Sequence, residues 1–238
     1  MDAESLIDGA RELGIDLTTA AVNHFEQFHD LLETWNGRLN LTRVPPDDFV
    51  SRHFLDSLTC ASALDFHQPG RQRVLDVGTG AGLPGLPLKI ALPVISLTLV
   101  DATKKKLKFV DHVVETLALR QTNTVHARAE AIGHQPSFRQ QYDVVLARAV
   151  APLNVLVEYL LPCARVGGVA VALKSRNVDE ELNTAQPAIE TLGGAVRESR
   201  SVTSPTTDIE RRLVVVEKVR ATPSGYPRDA KTIRTSPL

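Results

Sequence analysis

Residues 74–82 read Val-Leu-Asp-Val-Gly-Thr-Gly-Ala-Gly. An apolar stretch of strand character runs straight into three glycines at alternate positions. A second apolar run, Ile95-Ser-Leu-Thr-Leu-Val100, ends on Asp101. A strand, a glycine-rich turn, a helix, a second strand and a terminal carboxylate are the parts of a nucleotide pocket. Glycine has no Cβ, so the backbone at 78–82 can bend sharply and lie against a ligand. A carboxylate closing the second strand can accept hydrogen bonds from two ribose hydroxyls.

Outward from this stretch, strands are expected at 73–77, 95–100, 123–126, 142–147 and 169–173. Helices are expected from near Leu83, after an N-cap at Thr103, over 153–164 and over 178–192. In the helix after Thr103, Leu107, Val110, Val114 and Leu117 form an amphipathic stripe. The segments 195–202 and 212–218 suit an antiparallel hairpin. Upstream, 3–14, 18–39 and Phe49 to Leu64 have helical character, with Ala21, Phe25, Phe28, Leu31, Leu32 and Trp35 facing the core. Gln68-Pro-Gly-Arg71 is a turn. Strand–helix alternation with right-handed crossovers predicts an α/β, Rossmann-like, mostly parallel doubly wound sheet. A helical extension (1–68) precedes the core (69–220), and a mobile basic tail (221–238) follows.

The formal net charge is −1, so total charge does not predict nucleic-acid binding, although a local basic face remains compatible with it. Cys60 and Cys163 have no metal-ligand or Cys-x-x-Cys spacing and read as reduced core residues of a cytoplasmic protein; no metal is expected. No apolar run approaches the ~20 residues of a membrane span, and nothing in the pattern calls for an oligomer, so a monomer is expected.

Two frames compete for the glycines. Gly80-x-Gly82-x-x-Gly85 fits a dinucleotide fingerprint; Gly78-x-Gly80-x-Gly82 behind Asp76 fits the pattern for S-adenosylmethionine. The strand ends at Val77, which makes Gly80 too late for the first frame. Pro84 removes a backbone donor where a pyrophosphate would need one. S-adenosylmethionine needs no phosphate cradle, and Asp76 suits its cationic end. The class I methyltransferase frame is therefore preferred, with Asp101 at the ribose. Ala129-Glu130, after the third strand, is placed beside the adenine, and Arg148, ending the fourth, is placed in the cleft.

Several motifs carry a closer resemblance: Asn40-Leu-Thr42, Arg52-His-Phe-Leu-Asp-Ser-Leu58, Asp76 to Pro87, Arg128-Ala-Glu130, Arg148 to Ala151, Gly167-Gly168 with Leu173-Lys174, and Tyr226-Pro-Arg228. On these the chain resembles the small-subunit ribosomal RNA methyltransferase G family (glucose-inhibited division protein B). The resemblance implies N7-methylation of a guanosine in 16S rRNA, free or in the 30S subunit, with S-adenosylmethionine as donor. It also implies cofactor contacts at Gly78, Leu83, Ala129, Glu130 and Arg148, with Asp101, Ala102 and Thr103 along the ribose and adenine. Ser175-Arg176 and Asp229-Ala-Lys231 depart from the family pattern.

Guanine N7 has a free lone pair and no proton, so its methylation needs positioning and desolvation rather than a general base. RNA-holding candidates are Arg38, Arg43, Arg52, His53, Lys174, Arg176, Arg228, Lys231 and Arg234, with Phe54 or Arg148 as a stacking plane. Alternatives are a methyltransferase acting on a small molecule or protein, a nicotinamide dehydrogenase, and a non-catalytic ribosome-assembly protein.

Overall fold

The computed structural model describes residues 1–64, 72–148, 151–175, 178–207 and 210–238. The Gln68 turn, the 68/69 division, Ala149-Val150 and Arg176 lie outside the described residues. In chain order the elements are α1 (Ala3–Glu12), α2 (Thr19–Leu39), α3 (Asp56–Leu58), β1 (Arg73–Val77), α4 (Gly85–Ala91), β2 (Ser96–Asp101), α5 (Lys104–Thr116), β3 (Thr122–His126), α6 (Ala129–Ile132), β4 (Tyr142–Arg148), α7 (Leu153–Leu160), β5 (Ala164–Ser175), α8 (Asp179–Thr191), β6 (Gly194–Thr203), β7 (Glu210–Lys218) and α9 (Ala230–Thr235).

Among the described residues the sheet has seven strands in the order β3-β2-β1-β4-β5-β7-β6. β1 to β5 pair in parallel; β7 joins β5 and β6 antiparallel, as the hairpin pattern predicts. The order reverses between β1 and β4, which opens a crevice at the carboxyl ends of the strands. Successive side chains alternate faces. Val74, Val144 and Leu146 join one core with Phe25, Phe28, Phe54 and Phe109. Leu75, Val77, Val145 and Ala147 join the other with Leu153, Leu156, Ile189 and Ile233. Burial on both faces explains the near-continuous apolar strands.

The segment expected as one helix over Phe49 to Leu64 is wound three ways: a π-turn over Val50–Leu55, α3, then a 3-10 turn over Thr59–Ala63. Hydroxyls bonding back to the main chain, Ser57 to His53 O and Thr59 to Asp56 O, compete with the regular ladder. Gly167-Gly168 falls inside β5 rather than before it; a Cβ on Gly168 would lie 2.7 Å from Asp143 O, so only glycine lets the strands approach there.

The tail is not the mobile segment expected. Ile233 of α9 is buried, and Arg228 forks onto the fully buried Glu158 of α7 at 2.7 Å and 2.9 Å. The low apolar content of 221–238 hides this, because few apolar residues take part and much of the attachment is polar, through Glu158 and through Arg139, which donates to the Thr222 and Tyr226 carbonyls.

Candidate functional site

The turn after β1 is pinned from both sides. Gly78, Gly80 and Gly82 have φ of 72°, 60° and 84°, conformations that glycine adopts without a Cβ penalty. Gly78 N and Thr79 N both donate to Val100 O at 2.8 Å and 3.0 Å, which ties the turn to the end of β2. Asp101 completes the tie: its Oδ2 accepts from Gly80 N at 2.9 Å and its Oδ1 from Thr103 N at 2.7 Å. Thr103 is the N-cap residue of α5, but its side chain makes no capping bond; its own N–H is held by the carboxylate two residues earlier.

Asp76 does not face the cavity, contrary to the sequence expectation. It is fully buried, and Oδ2 accepts from the Thr79 hydroxyl at 2.6 Å and from Gly85 N at 2.9 Å. Burial pushes its pKa up to about 6 against those bonds. It closes the loop from within. This also decides between the two glycine frames. Gly85 N is spent on Asp76, Leu83 N on Thr79 O and Leu86 N on Gly82 O, while Pro84 has no donor. From Gly82 to Leu86 every N–H present is taken within the protein, which leaves none there for a pyrophosphate. A Cβ at Gly85 would lie 2.6 Å from Leu99 Cδ2 and 2.8 Å from Asp76 Oδ2. Gly85→Ala is therefore expected to destabilise the protein by about 2 kcal/mol in denaturant unfolding; a change under about 0.5 kcal/mol contradicts this packing.

Two adjoining chambers open at this end of the sheet. The first, about 480 Å3, is lined by Gly78, Leu83, Asp101, Ala102, Ala129 and Arg148, together with Leu41, Thr42, His53 and Lys106. Of the predicted cofactor residues, Thr103 and Glu130 are outside this lining; Glu130 is half-buried on α6. The second, about 440 Å3, is lined by Arg52, Lys174, Ser175 and Arg211 and shares His53 and Arg148 with the first.

His53 is buried between them. Its Nδ1 lies 3.0 Å from Arg52 O, and only a protonated Nδ1 can bond a carbonyl. Nε2 therefore accepts from the Thr42 hydroxyl at 2.8 Å. Burial, then the charge of Arg148, pushes its pKa down to about 4. With a folded pKa below the unfolded ~6.5, the stability held by neutral His53 is present above pH ~6.5 and lost as pH falls through 4. Relative to His53→Gln, the wild type is expected to lose about 3 kcal/mol between pH 6.5 and 4 in denaturant unfolding; parallel profiles would refute the assignment.

The cation candidates divide. Lys174 is buried and held by Glu181 at 2.8 Å and Ala151 O at 2.7 Å, and Arg228 serves the tail, so both are structural. Phe54 is fully buried against Phe25 and Phe28 and offers no plane for a base. Arg52, Arg38, Arg43, Lys231 and Arg234 are exposed. Sequence reasoning missed Thr42, Lys106, Asp56 and Arg211. Lys106 was visible as part of a lysine run beside Asp101, and Asp56 as a bare motif letter.

Sheet order, glycine turn and a cavity-lining acid at the end of β2 define a class I S-adenosylmethionine-dependent methyltransferase. A solved structure of TrmN from Thermus thermophilus superposes with a TM-score of 0.52 at 24% identity, covering 71% of this chain and 53% of its own, a likeness of fold alone. The family model described as rRNA small subunit methyltransferase G matches residues 21–214. Ribosomal RNA small subunit methyltransferase G of Thermoanaerobacter pseudethanolicus is 41% identical over 236 residues, 99% of this chain and 98% of that protein. Its namesake in Alkaliphilus oremlandii is 44% identical over 234 residues, 98% and 97% of the two chains. The chain belongs to the rRNA small subunit methyltransferase G family.

Proposed function

We propose that the protein transfers a methyl group from S-adenosylmethionine to N7 of a guanosine in 16S rRNA, free or within the 30S subunit. The observation that carries this is the pair of chambers meeting at His53 and Arg148, one closed by a carboxylate, the other lined by arginines. The family membership supports the rRNA substrate. In this reading Asp101 and Ala102 hold the ribose, with Thr103 fixing the carboxylate. Ala129 and Glu130 meet the adenine, Gly78 and Leu83 lie under the amino-acid end, and Arg148 stands at the reacting boundary. The cofactor supplies an electrophilic methyl group. The protein's own contribution is orientation and exclusion of water. Both nitrogens of His53 are engaged and its pKa is low, which suits a reaction that removes no proton from the nucleophile.

We also place the protein in the cytoplasm as a monomer; two buried, unpaired thiols suit a reducing compartment. The test is tritium transfer from labelled cofactor to 30S particles or 16S rRNA from a strain lacking the gene, followed by mass spectrometry of the RNA fragments. Label in one guanosine-containing fragment is expected. Label on protein or a small molecule without RNA would establish the alternative.

A further inference from the structure

One carboxylate joins the N-terminal helical segment to both chambers. Asp56 is fully buried. Its Oδ2 accepts from Arg148 Nη1 at 3.1 Å and its Oδ1 from Arg211 Nε at 2.8 Å. The two arginines come from β4 and β7, the strands on either side of β5. Arg148 stands in the wall common to the chambers, and Arg211 lines the second. Among the described residues, two guanidinium groups on one carboxylate leave one positive charge in excess. Both keep an edge open to the cleft, with side chains 18% and 30% exposed. The other buried cation of this chamber, Lys174, is neutralised by Glu181. The excess charge therefore sits on the arginines, both of which donate to Asp56, with Arg148 Nη1 also 3.5 Å from Arg52 O.

We propose that Asp56 is a positioning residue for methyl transfer. It aims Arg148 and Arg211 so that their free N–H groups grip a phosphodiester of the target nucleotide across the second chamber, which turns the base toward the first. Guanidinium forks suit phosphate oxygens in direction as well as charge. An unanchored arginine has many rotamers, and a misplacement of about 1 Å can cost about a hundredfold in rate. The inference rests on the proposed rRNA substrate.

Asp56→Asn separates aim from charge. Removing the carboxylate makes the chamber more positive, so charge alone predicts tighter RNA binding and undiminished transfer; aim predicts the reverse for transfer. With 30S particles or 16S rRNA, kcat/KM of Asp56→Asn is expected to fall at least about tenfold. Affinity for S-adenosylhomocysteine should stay within about threefold. Arg211→Gln, on a partly exposed side chain, should show the same loss. Because the two residues act in series, the double variant should be no worse than the poorer single. Transfer within about twofold of wild type in either single variant would overturn the proposal. So would additive losses in the double variant, or a parallel loss of cofactor affinity and thermal stability, which would make Asp56 purely structural. A wild-type enzyme that labels no RNA would sink the functional reading and this inference with it; an active wild type with unimpaired variants would sink this inference alone.

Discussion

Replacing Asp101 by alanine is expected to weaken S-adenosylhomocysteine binding about a hundredfold, close to 3 kcal/mol. The side chain is only 7% exposed, and each of its oxygens already accepts one backbone N–H, from Gly80 and from Thr103. Each oxygen retains a further lone pair for a ribose hydroxyl. The alanine variant therefore loses the ligand's acceptors and also leaves two N–H groups of the cavity wall without their partner, at about 1–3 kcal/mol each where water cannot replace it. Hydrogen bonds to a charged group lie at the strong end of that range. Asp101→Asn keeps a carbonyl for one of the two amides and should fall between wild type and alanine. Titration calorimetry decides the matter, with thermal unfolding as a control for the loop. An alanine variant that binds within about threefold of wild type would remove Asp101 from the cofactor's shell.

The Arg228→Ala protein should unfold about 3 kcal/mol more readily than wild type. Glu158 is fully buried on α7, and Arg228 supplies it with three side-chain contacts, at 2.7, 2.9 and 3.3 Å, besides the backbone N–H at 2.8 Å. Among the described residues, truncation leaves the buried carboxylate one amide, Arg228 N, and an unpaired buried charge costs far more than the pair contributed. For a chain of this size the corresponding drop in Tm is about 9 °C. Glu158→Gln combined with Arg228→Ala should recover part of the loss, because no charge is then stranded. The same variant should open the tail beyond Ala221 to proteolysis. Denaturant unfolding within about 0.5 kcal/mol of wild type would mean that the tail contributes nothing to the fold.

The stretch 74–82 shows what can be read locally and what cannot. Strand β1, the turn glycines and the closing Asp101 follow from alternation, from positive φ and from an acid after an apolar run, all of them properties of neighbours in sequence. Pro84 was enough to disfavour a phosphate cradle. The residue type of Asp76 suits both a cationic ligand and a buried turn lock; the positions of Thr79 and Gly85 around Oδ2 supply the second role, while Oδ1 has no hydrogen-bond partner among the described residues. The irregular winding of 50–63 was equally hidden, since its hydroxyls return to the main chain only once the segment is packed.

The sequence by itself determined the alternation of strands and helices, the glycine turn, the preference for a methyl donor over a dinucleotide, and the family resemblance. Periodicity, backbone permissiveness and missing donors act within a few residues, so they are written in order along the chain. Only the tertiary structure decided which charges work as a unit. Asp56 reaches Arg148 across 92 positions and Arg211 across 155, and Arg228 reaches Glu158 across 70. Such partners are chosen by strand order and by the cost of burying an unpaired charge, and neither leaves a local mark on the residues involved.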